Sequence, residues 1–228
     1  GLCGQYSSIV PVDAAGLPLA PMRLYFDQRG TSRCFDILGR HEDAFTTWLE
    51  RHPIPPVGGG LALGHLLAFQ FDEPTLHEQV TAYLEPVDYV TARLTGTIAA
   101  TQGSMFASQL IDNRRLGTTA YDEKLVALAG IDATRLPPLL TVGATVGPVR
   151  SEVADAIGLP VDVPVLTGMT DSCAGAQATG ADQRGRIGVA IGTTGVVLSG
   201  VDELGMDLDH EVLAMPGLRT DRYLVSAE

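Results

Sequence analysis

The segment VPVLTGMTD at residues 163–171 decides the fold, because it is typical of a strand, a glycine-containing turn and the start of a helix. We expect a short buried strand over Val163–Thr167 and a helix over Asp171–Gly180, whose small residues permit close backbone approach. Asp171 would stand at or near the first helical position, where free amide groups and the helix dipole favour a carboxylate. An ordinary helix cap is one interpretation. The other is a strand-end carboxylate that faces a cleft and takes a proton from a substrate hydroxyl.

A second segment, GVAIGTTGVVL at residues 188–198, predicts an apolar hairpin about 20 residues further on. Its pattern predicts a strand, a turn and a second strand. It therefore differs from the P-loop motif GxxxxGK[ST] and from the GxGxxG dinucleotide turn, in which a helix follows the turn. Glycines on either side of two threonines leave amide groups unobstructed, which suits them to phosphate oxygens. An ordinary hairpin turn is the competing interpretation.

The remaining periodicity and turn residues predict a mixture of helices and strands. The expected elements are a β-hairpin over Ile9–Leu24, helices over 36–52, Gly60–Phe71, Thr75–Leu84, Pro86–Gly96 and Asp122–Gly130, and a surface loop over Pro53–Gly60. This intermixing places the chain in the α/β class.

Composition excludes several kinds of protein. The chain has 228 residues, of which 45% are hydrophobic and 18% charged, as in a folded globular protein of one large or two small domains. A net charge of −12 argues against a nucleic-acid partner. No apolar run reaches the roughly 18–20 residues that cross a membrane. The cysteines are Cys3, Cys34 and Cys173, an odd number without metal-ligand spacing. We therefore expect no metal site formed by side chains. We expect the thiols to be reduced, as in a cytoplasm.

Taken together, the two segments resemble the FGGY family of carbohydrate kinases, and further pieces resemble it in the same order. These are GQYSS at residues 4–8 with the hairpin that follows, YFDQR at 25–29, PVDYVTARLTG at 86–96, and the stretch 121–135 with the LPPLL and VGPV that come after it. The resemblance implies an actin-like ATPase (ribonuclease H-like) fold, in which two domains close on a cleft. Residues 1–183 would form most of the sugar-binding domain without its first hairpin, and 184–228 the start of the nucleotide-binding domain.

The same resemblance implies a role for each matching residue. Asp171 would be the general base, and the sugar would be bound by Gln5, Tyr6, Ser7 and Ser172. The phosphates would be contacted by Gly192, Thr193, Thr194 and Gly195. The implied cofactor is ATP with Mg²⁺, the implied partners are a small-molecule sugar and ATP, and a homodimer is the candidate assembly.

Departures from the family pattern limit the choice of substrate. Tyr6 and Ser7 replace the Met-His of xylulose kinases and the Arg-Glu of glycerol kinases, and Gln102-Gly103 replaces an Asp-Tyr of the glycerol kinases. We therefore expect a five- to seven-carbon sugar or polyol, with a pentulose-like substrate favoured over glycerol.

The family's D-x-G-T phosphate loop would precede Gly1 and its adenosine-binding segment would follow Glu228, so we expect a fragment that is inactive alone. Two other hypotheses remain open. One is a non-catalytic sugar-binding or regulatory relative, and the other is an actin-like or chaperone-type ATPase domain without a sugar substrate.

Overall fold

The computed structural model describes residues 1–191, 195–207, 209–210 and 212–227. The helices are α1 (Thr31–Arg40), α2 (Ala44–Arg51), α3 (Ala62–Asp72), α4 (Pro74–His77), α5 (Pro86–Thr95), α6 (Glu123–Ala129), α7 (Ser151–Ile157) and α8 (Asp171–Thr179). The strands are β1 (Cys3–Gly4), β2 (Val10–Val12), β3 (Ala82–Leu84), β4 (Ala100–Thr101), β5 (Leu139–Leu140), β6 (Thr145–Pro148), β7 (Pro164–Leu166), β8 (Met169–Thr170), β9 (Gly188–Ile191), β10 (Gly195–Val201), β11 (Met206–Asp207), β12 (Val212–Pro216) and β13 (Tyr223–Ala227).

The strands form one larger sheet and several pairs. The larger sheet is antiparallel and has the order β11-β12-β13-β10-β9. Before it in the chain, β1 pairs with β8 and β4 with β5 in parallel, whereas β2 pairs with β3 and β6 with β7 in antiparallel fashion. Helices and strands therefore alternate over the first 180 residues or so, and an all-β segment follows them.

The largest hydrophobic cluster lies where α1, α2, α3 and α6 meet. Trp48, Leu63 and Phe69 are almost completely buried in it. The indole N–H of Trp48 donates to the carbonyl of Gln109 at 2.9 Å, so its polar atom is satisfied. Each such large apolar side chain contributes about 1.5–3 kcal/mol on burial, which holds these helices together.

Helix boundaries that depend on local capping are confirmed. The helix α5 begins at Pro86 and ends before Gly96, whose φ of 77° is left-handed. The side chain of Asp122 accepts the amide of Leu125 at the start of α6. Gly130 then ends that helix with a φ of 67°. These caps act between near neighbours, so they are visible in the sequence.

The predicted hairpin over Ile9–Leu24 is also confirmed. Ile9 and Arg23 exchange two backbone hydrogen bonds of 2.9 Å, and Gly16 turns the chain with a φ of 71°. One carboxylate oxygen of Asp13 accepts the amides of Ala15 and Leu17, which closes the turn.

Two predicted helices were wrong in extent. The patch over 36–52 divides into α1 and α2, because His41 adopts an extended conformation between them. The expected helix over Thr75–Leu84 shrinks to the single turn α4, and its end is the strand β3. That strand pairs with β2, so Ala82–Leu84 is buried on both faces, a pattern that periodicity alone does not separate from a helix.

The loop over Pro53–Gly60 was wrongly expected at the surface, since half of its residues are buried and only Val57 is exposed. The side-chain amide of Gln109 donates to the carbonyls of Ile54 and Pro55 at 2.8 and 2.9 Å. Prolines have no N–H group to satisfy, so this loop can be buried with few hydrogen-bond partners.

The strand expected over Val163–Thr167 is present as β7, but it is not a buried strand. Only Val165 of its three residues is buried, and Leu166 remains 39% exposed. It pairs with β6 alone, and a turn at Gly168 separates it from β8. The strand that leads directly into Asp171 is therefore β8.

Candidate functional site

The centre of the candidate site is the parallel pair of β1 and β8. Gly4 lies opposite Thr170 in the register of this pair. Gln5 follows Gly4 and Asp171 follows Thr170, so both leave the carboxyl ends of neighbouring parallel strands. Ligands of open α/β sheets bind at this edge. The segments that begin at Gln5 and at Asp171 are far apart in the sequence, and this pairing brings them together.

Asp171 is the first residue of α8 and an exposed one. Thr170 occupies the N-cap position and makes no side-chain cap, so Asp171 is not the capping residue. One carboxylate oxygen accepts the amide of Ser172 at 2.8 Å. Within the described part of the chain no cation pairs with this carboxylate. An exposed acid in the first turn of a helix can act as a proton acceptor.

Two glycines allow the start of α5 to approach the strand ends from below. A Cβ atom at Gly168 would lie 2.1 Å from Cγ2 of Val87. A Cβ atom at Gly4 would lie 3.2 Å from the Cβ of the same valine. Neither position has room for a side chain without movement of α5, so close packing on Val87 sets the height of both strand ends.

Gln5 and Ser172 flank this edge. Gln5 is partly buried, and its amide Nε2 donates to the hydroxyl of Ser8 at 2.8 Å. Ser172 is also partly buried, with its hydroxyl 3.5 Å from a carboxylate oxygen of Asp171. Ser172 therefore lies beside the exposed acid, and the backbone of Gln5 leaves the neighbouring strand end.

Tyr6 is partly buried and packs against the largest hydrophobic cluster. Its ring stacks on Phe106 with 6.3 Å between centroids, and its hydroxyl is buried without a hydrogen-bond partner among the described residues. Burial raises the pKa of Tyr6 well above its ordinary value, and nearby Glu85 and Cys173 raise it further. Its phenol is therefore neutral at physiological pH and can donate a hydrogen bond.

Ser7 has an unusual backbone conformation for a non-glycine residue, with a φ of 61°. Its side chain is 2% exposed, and its hydroxyl donates to the carbonyl of Gly60 at 2.9 Å. The residue turns inward at the edge of the site, so its conformation decides the path of the segment that carries Gln5.

Two buried acids, Glu85 and Asp88, lie below the segment that carries Gln5 and Ser7. Neither was predicted from the sequence as a residue of the site. Glu85 is 1% exposed and accepts the amide of Ser8 at 3.0 Å. Burial raises its pKa well above the ordinary value, while the Ser8 amide lowers it and Asp88 raises it. Burial also raises the pKa of Asp88 to about 8. The available signal was an acid on each side of Pro86 after the apolar run Ala82–Leu84.

Gln102, which replaces an acid of the glycerol kinases, is used inside the protein. Its Nε2 donates to Asn113 Oδ1 at 3.0 Å and to the carbonyl of Arg115 at 2.9 Å, and its Oε1 accepts the amide of Gly117 at 2.8 Å. The hydroxyl of Tyr223 donates to the carbonyl of Asn113 at 2.8 Å. Gln102 therefore organises a segment on which the larger sheet rests.

The predicted hairpin over 188–198 is confirmed by the antiparallel pairing of β9 with β10. Ile191 pairs with Gly195, the first residue of β10, and both are exposed. The other predicted phosphate contacts lie outside the described residues; they are Gly192, Thr193 and Thr194.

The helix α8 connects the two halves of the candidate site. Its inner face shares a hydrophobic cluster with the larger sheet, formed by Cys173, Ala176, Ala181, Leu198 and Leu224. A Cβ atom at Gly188 would lie 2.4 Å from the hydroxyl of Thr179, so the strand β9 passes directly against the end of this helix. Asp171 and the hairpin are thereby fixed to the same structural element.

Two other features are absent from the part of the chain that the structure describes. No three His, Cys, Asp or Glu side chains gather where they could hold a metal ion. No helix there is long and apolar enough to span a membrane.

An α/β protein with an exposed acid and a polar segment on adjacent parallel strand ends is the class that this geometry defines. Residues 1–177 match the FGGY family of carbohydrate kinases, N-terminal domain. The chain belongs to the FGGY family of carbohydrate kinases.

Curated relatives agree with this assignment. The xylulose kinase of Staphylococcus epidermidis is 31% identical over 196 residues, which cover 86% of this chain and 37% of that protein. The xylulose kinase of Bacillus subtilis is 27% identical over 209 residues, which cover 92% of this chain and 40% of that protein. The chain therefore spans about two fifths of the length of these relatives.

Solved structures show the fold. The xylulose kinase from Rhodospirillum rubrum superposes with a TM-score of 0.85 at 23% identity, covering 98% of this chain and 45% of that one. Plasmodium falciparum glycerol kinase with ADP gives a TM-score of 0.81 at 14% identity, covering 100% of this chain and 46% of that one. The expected α/β architecture of the actin-like ATPase fold is confirmed.

Proposed function

We propose that this chain carries the sugar-binding part of an ATP-dependent kinase that phosphorylates a hydroxyl of a pentulose-like sugar or polyol. The observation that carries the proposal is the register of β1 and β8, which sets Gln5 beside Asp171 at one strand edge. Membership of a carbohydrate kinase family supplies the reaction class.

Asp171 acts as the general base in this proposal. Its carboxylate accepts the proton of the sugar hydroxyl while that oxygen bonds to the γ-phosphorus of ATP and the bond to the β,γ-bridging oxygen breaks, releasing ADP. Phosphoryl transfer depends mainly on positioning and on charge neutralisation, so one exposed carboxylate is a sufficient protein base. Mg²⁺ bound to ATP supplies the charge neutralisation.

The other contacts follow from their positions around this acid. Gln5 leaves the neighbouring strand end, Ser172 offers a hydroxyl beside the acid, Tyr6 adds a phenol that can donate a hydrogen bond, and Ser7 shapes the segment. We assign phosphate contacts to the hairpin tip, Gly192, Thr193, Thr194 and Gly195. Residues 1–183 would then form the sugar-binding domain and 184–228 the start of the nucleotide-binding domain.

A ketopentose is the preferred substrate class, because the relatives at 31% and 27% identity are named xylulose kinases. Glycerol is disfavoured, since the amide of Gln102 is occupied by Asn113, Arg115 and Gly117 and is not free to bind a triol.

Calorimetric titration of the chain with D-xylulose, with glycerol as the matched polyol, tests the substrate class. We expect heat of binding for D-xylulose and at least tenfold weaker binding for glycerol. ADP release from MgATP in the presence of D-xylulose, measured on the protein at its full encoded length, tests the reaction. Binding of sugar without ADP release would instead support a non-catalytic relative, and absence of sugar binding would contradict the proposal.

A further inference from the structure

The turn that carries the sugar-binding segment is held in a conformation that its sequence does not favour. Ser7 has a φ of 61° although it carries a Cβ atom. The left-handed region costs such a residue about 1–2 kcal/mol. A conformation of this kind persists only where surrounding contacts enforce it.

Two hydrogen bonds enforce it here: a partly buried one from the Ser7 side chain and a buried one from the Ser8 amide. The Ser7 hydroxyl donates to the carbonyl of Gly60 at 2.9 Å, and the amide of Ser8 donates to Oε2 of Glu85 at 3.0 Å. Ser8 and Glu85 are 0% and 1% exposed, so water does not compete for the second bond.

Glu85 is itself held rigidly with respect to the strand ends. It lies between β3, which pairs with β2, and Pro86 at the start of α5. Two residues further on, Val87 packs against Gly4 and Gly168, so the backbone that carries Glu85 is packed against the strands that lead to Gln5 and Asp171. The second carboxyl oxygen of Glu85 has no partner among the described residues.

We infer that Glu85 is a positioning residue for the sugar-binding segment, which holds Ser7 in the left-handed conformation by accepting the Ser8 amide. The inference rests on the proposed function, because it assigns Glu85 a role in binding at that same site. Glu85 does not touch the sugar and acts through the backbone of Ser7 and Ser8.

The size of the effect follows from the conformational cost at Ser7. Without the Glu85 bond, a cost of about 1–2 kcal/mol reduces the population of the binding conformation by about 5- to 30-fold. Glycine populates positive and negative φ about equally, so the same loss in a glycine background is about 2-fold. The loss of affinity caused by removing the Glu85 bond should therefore depend on whether residue 7 is serine or glycine. This dependence distinguishes the mechanism.

Four variants measured with D-xylulose test it: Glu85→Met, Glu85→Gln, Ser7→Gly and the double variant Ser7→Gly/Glu85→Met. We expect Glu85→Met to weaken binding about 5- to 30-fold. Glu85→Gln keeps an acceptor for the Ser8 amide and stays within about 2-fold of the wild type. In the Ser7→Gly background, Glu85→Met should cost only about 2-fold. Turnover at saturating sugar should change less than the apparent affinity for sugar.

Hydrogen exchange of the Ser8 amide, followed by NMR, provides a measurement that does not depend on sugar. Exchange should be slow in the wild type and in Glu85→Gln, and at least tenfold faster in Glu85→Met. If Glu85→Met does not fold, Ser7→Thr replaces it, because a branched side chain disfavours the left-handed region while Glu85 is kept. Ser7→Thr keeps both the hydroxyl and Glu85, and it should weaken binding more than Ser7→Gly does.

Wild-type affinity in Glu85→Met, or equal losses in the serine and glycine backgrounds, would overturn the inference. If the wild-type chain binds no sugar at all, the proposed function fails, and the exchange of the Ser8 amide still decides whether Glu85 holds the turn.

Discussion

Gly4 and Thr170 lie opposite each other on parallel strands, and this single pairing places Gln5 and Asp171 at the same edge of the fold. The side chain of Val87 packs against both strand ends, leaving no room for a Cβ atom at Gly168 and only a tight fit for one at Gly4. The relative position of Gln5 and Asp171 therefore depends on backbone contacts and on the packing of Val87. Neither depends on which substrate is bound.

Asp171→Asn should abolish phosphorylation while leaving sugar binding within a few-fold, because the amide keeps the size of the carboxylate and cannot accept the proton. Turnover is measured as ADP release and binding as heat of titration with D-xylulose. Asp155→Asn, an exposed change on α7, is the matched control and should retain wild-type turnover. Turnover that persists in Asp171→Asn would remove this residue from the role of base.

Gly168→Ala should destabilise the chain by about 1–3 kcal/mol, because the added methyl group would lie 2.1 Å from Cγ2 of Val87 and force β8 or α5 to move. The measurement is the free energy of unfolding from urea titration. Gly39→Ala in α1 is the control, since a Cβ atom there has no neighbour within 4 Å. In a helix that change should be neutral or stabilising by up to about 1 kcal/mol. Equal stability of the two variants would contradict the packing argument.

Asp88→Asn should change how stability depends on pH. Burial raises the pKa of Asp88 from 3.8 to about 8, so between these values the folded chain holds a proton that the unfolded chain has released. This group therefore lowers the free energy of unfolding as pH rises from about 4 to about 8. Asn removes this contribution.

Urea unfolding of the wild type and of Asp88→Asn at several pH values measures the difference. The two should be similar near pH 4, where both side chains are neutral, and the variant should gain relative to the wild type towards pH 8. A difference that is constant with pH would contradict the shifted pKa.

Tyr223→Phe should cost about 1–3 kcal/mol, because it removes a buried hydrogen bond of 2.8 Å and leaves the carbonyl of Asn113 without that donor. That bond joins the larger sheet to the segment organised by Gln102. Tyr89→Phe is the comparison, since its hydroxyl makes no hydrogen bond within the described ranges, and it should stay within about 0.5 kcal/mol of the wild type. Chemical denaturation measures both, and equal effects would show that the contact does not stabilise the protein.

Elements with local signals could be predicted from the sequence, and elements without them could not. The helix α5 carries Pro86 at its start and a left-handed Gly96 at its end, so both boundaries are correct. The end of the expected helix over Thr75–Leu84 is instead β3, because the partner strand β2 lies some 70 residues away and decides the conformation. Burial of the loop over Pro53–Gly60 depends in the same way on Gln109.

The sequence by itself determined the family, the order of the motifs, the helix caps and the acid at the start of α8. Those features are carried by residue identity and by contacts between neighbours in the chain. Only the tertiary structure decided that Ser7 turns inward, that Glu85 lies buried beneath Ser8, and that Gln102 is used inside the protein. Each of these depends on hydrogen bonds between distant parts of the chain, whose strength is set by burial, and burial exists only once the helices and strands have packed together.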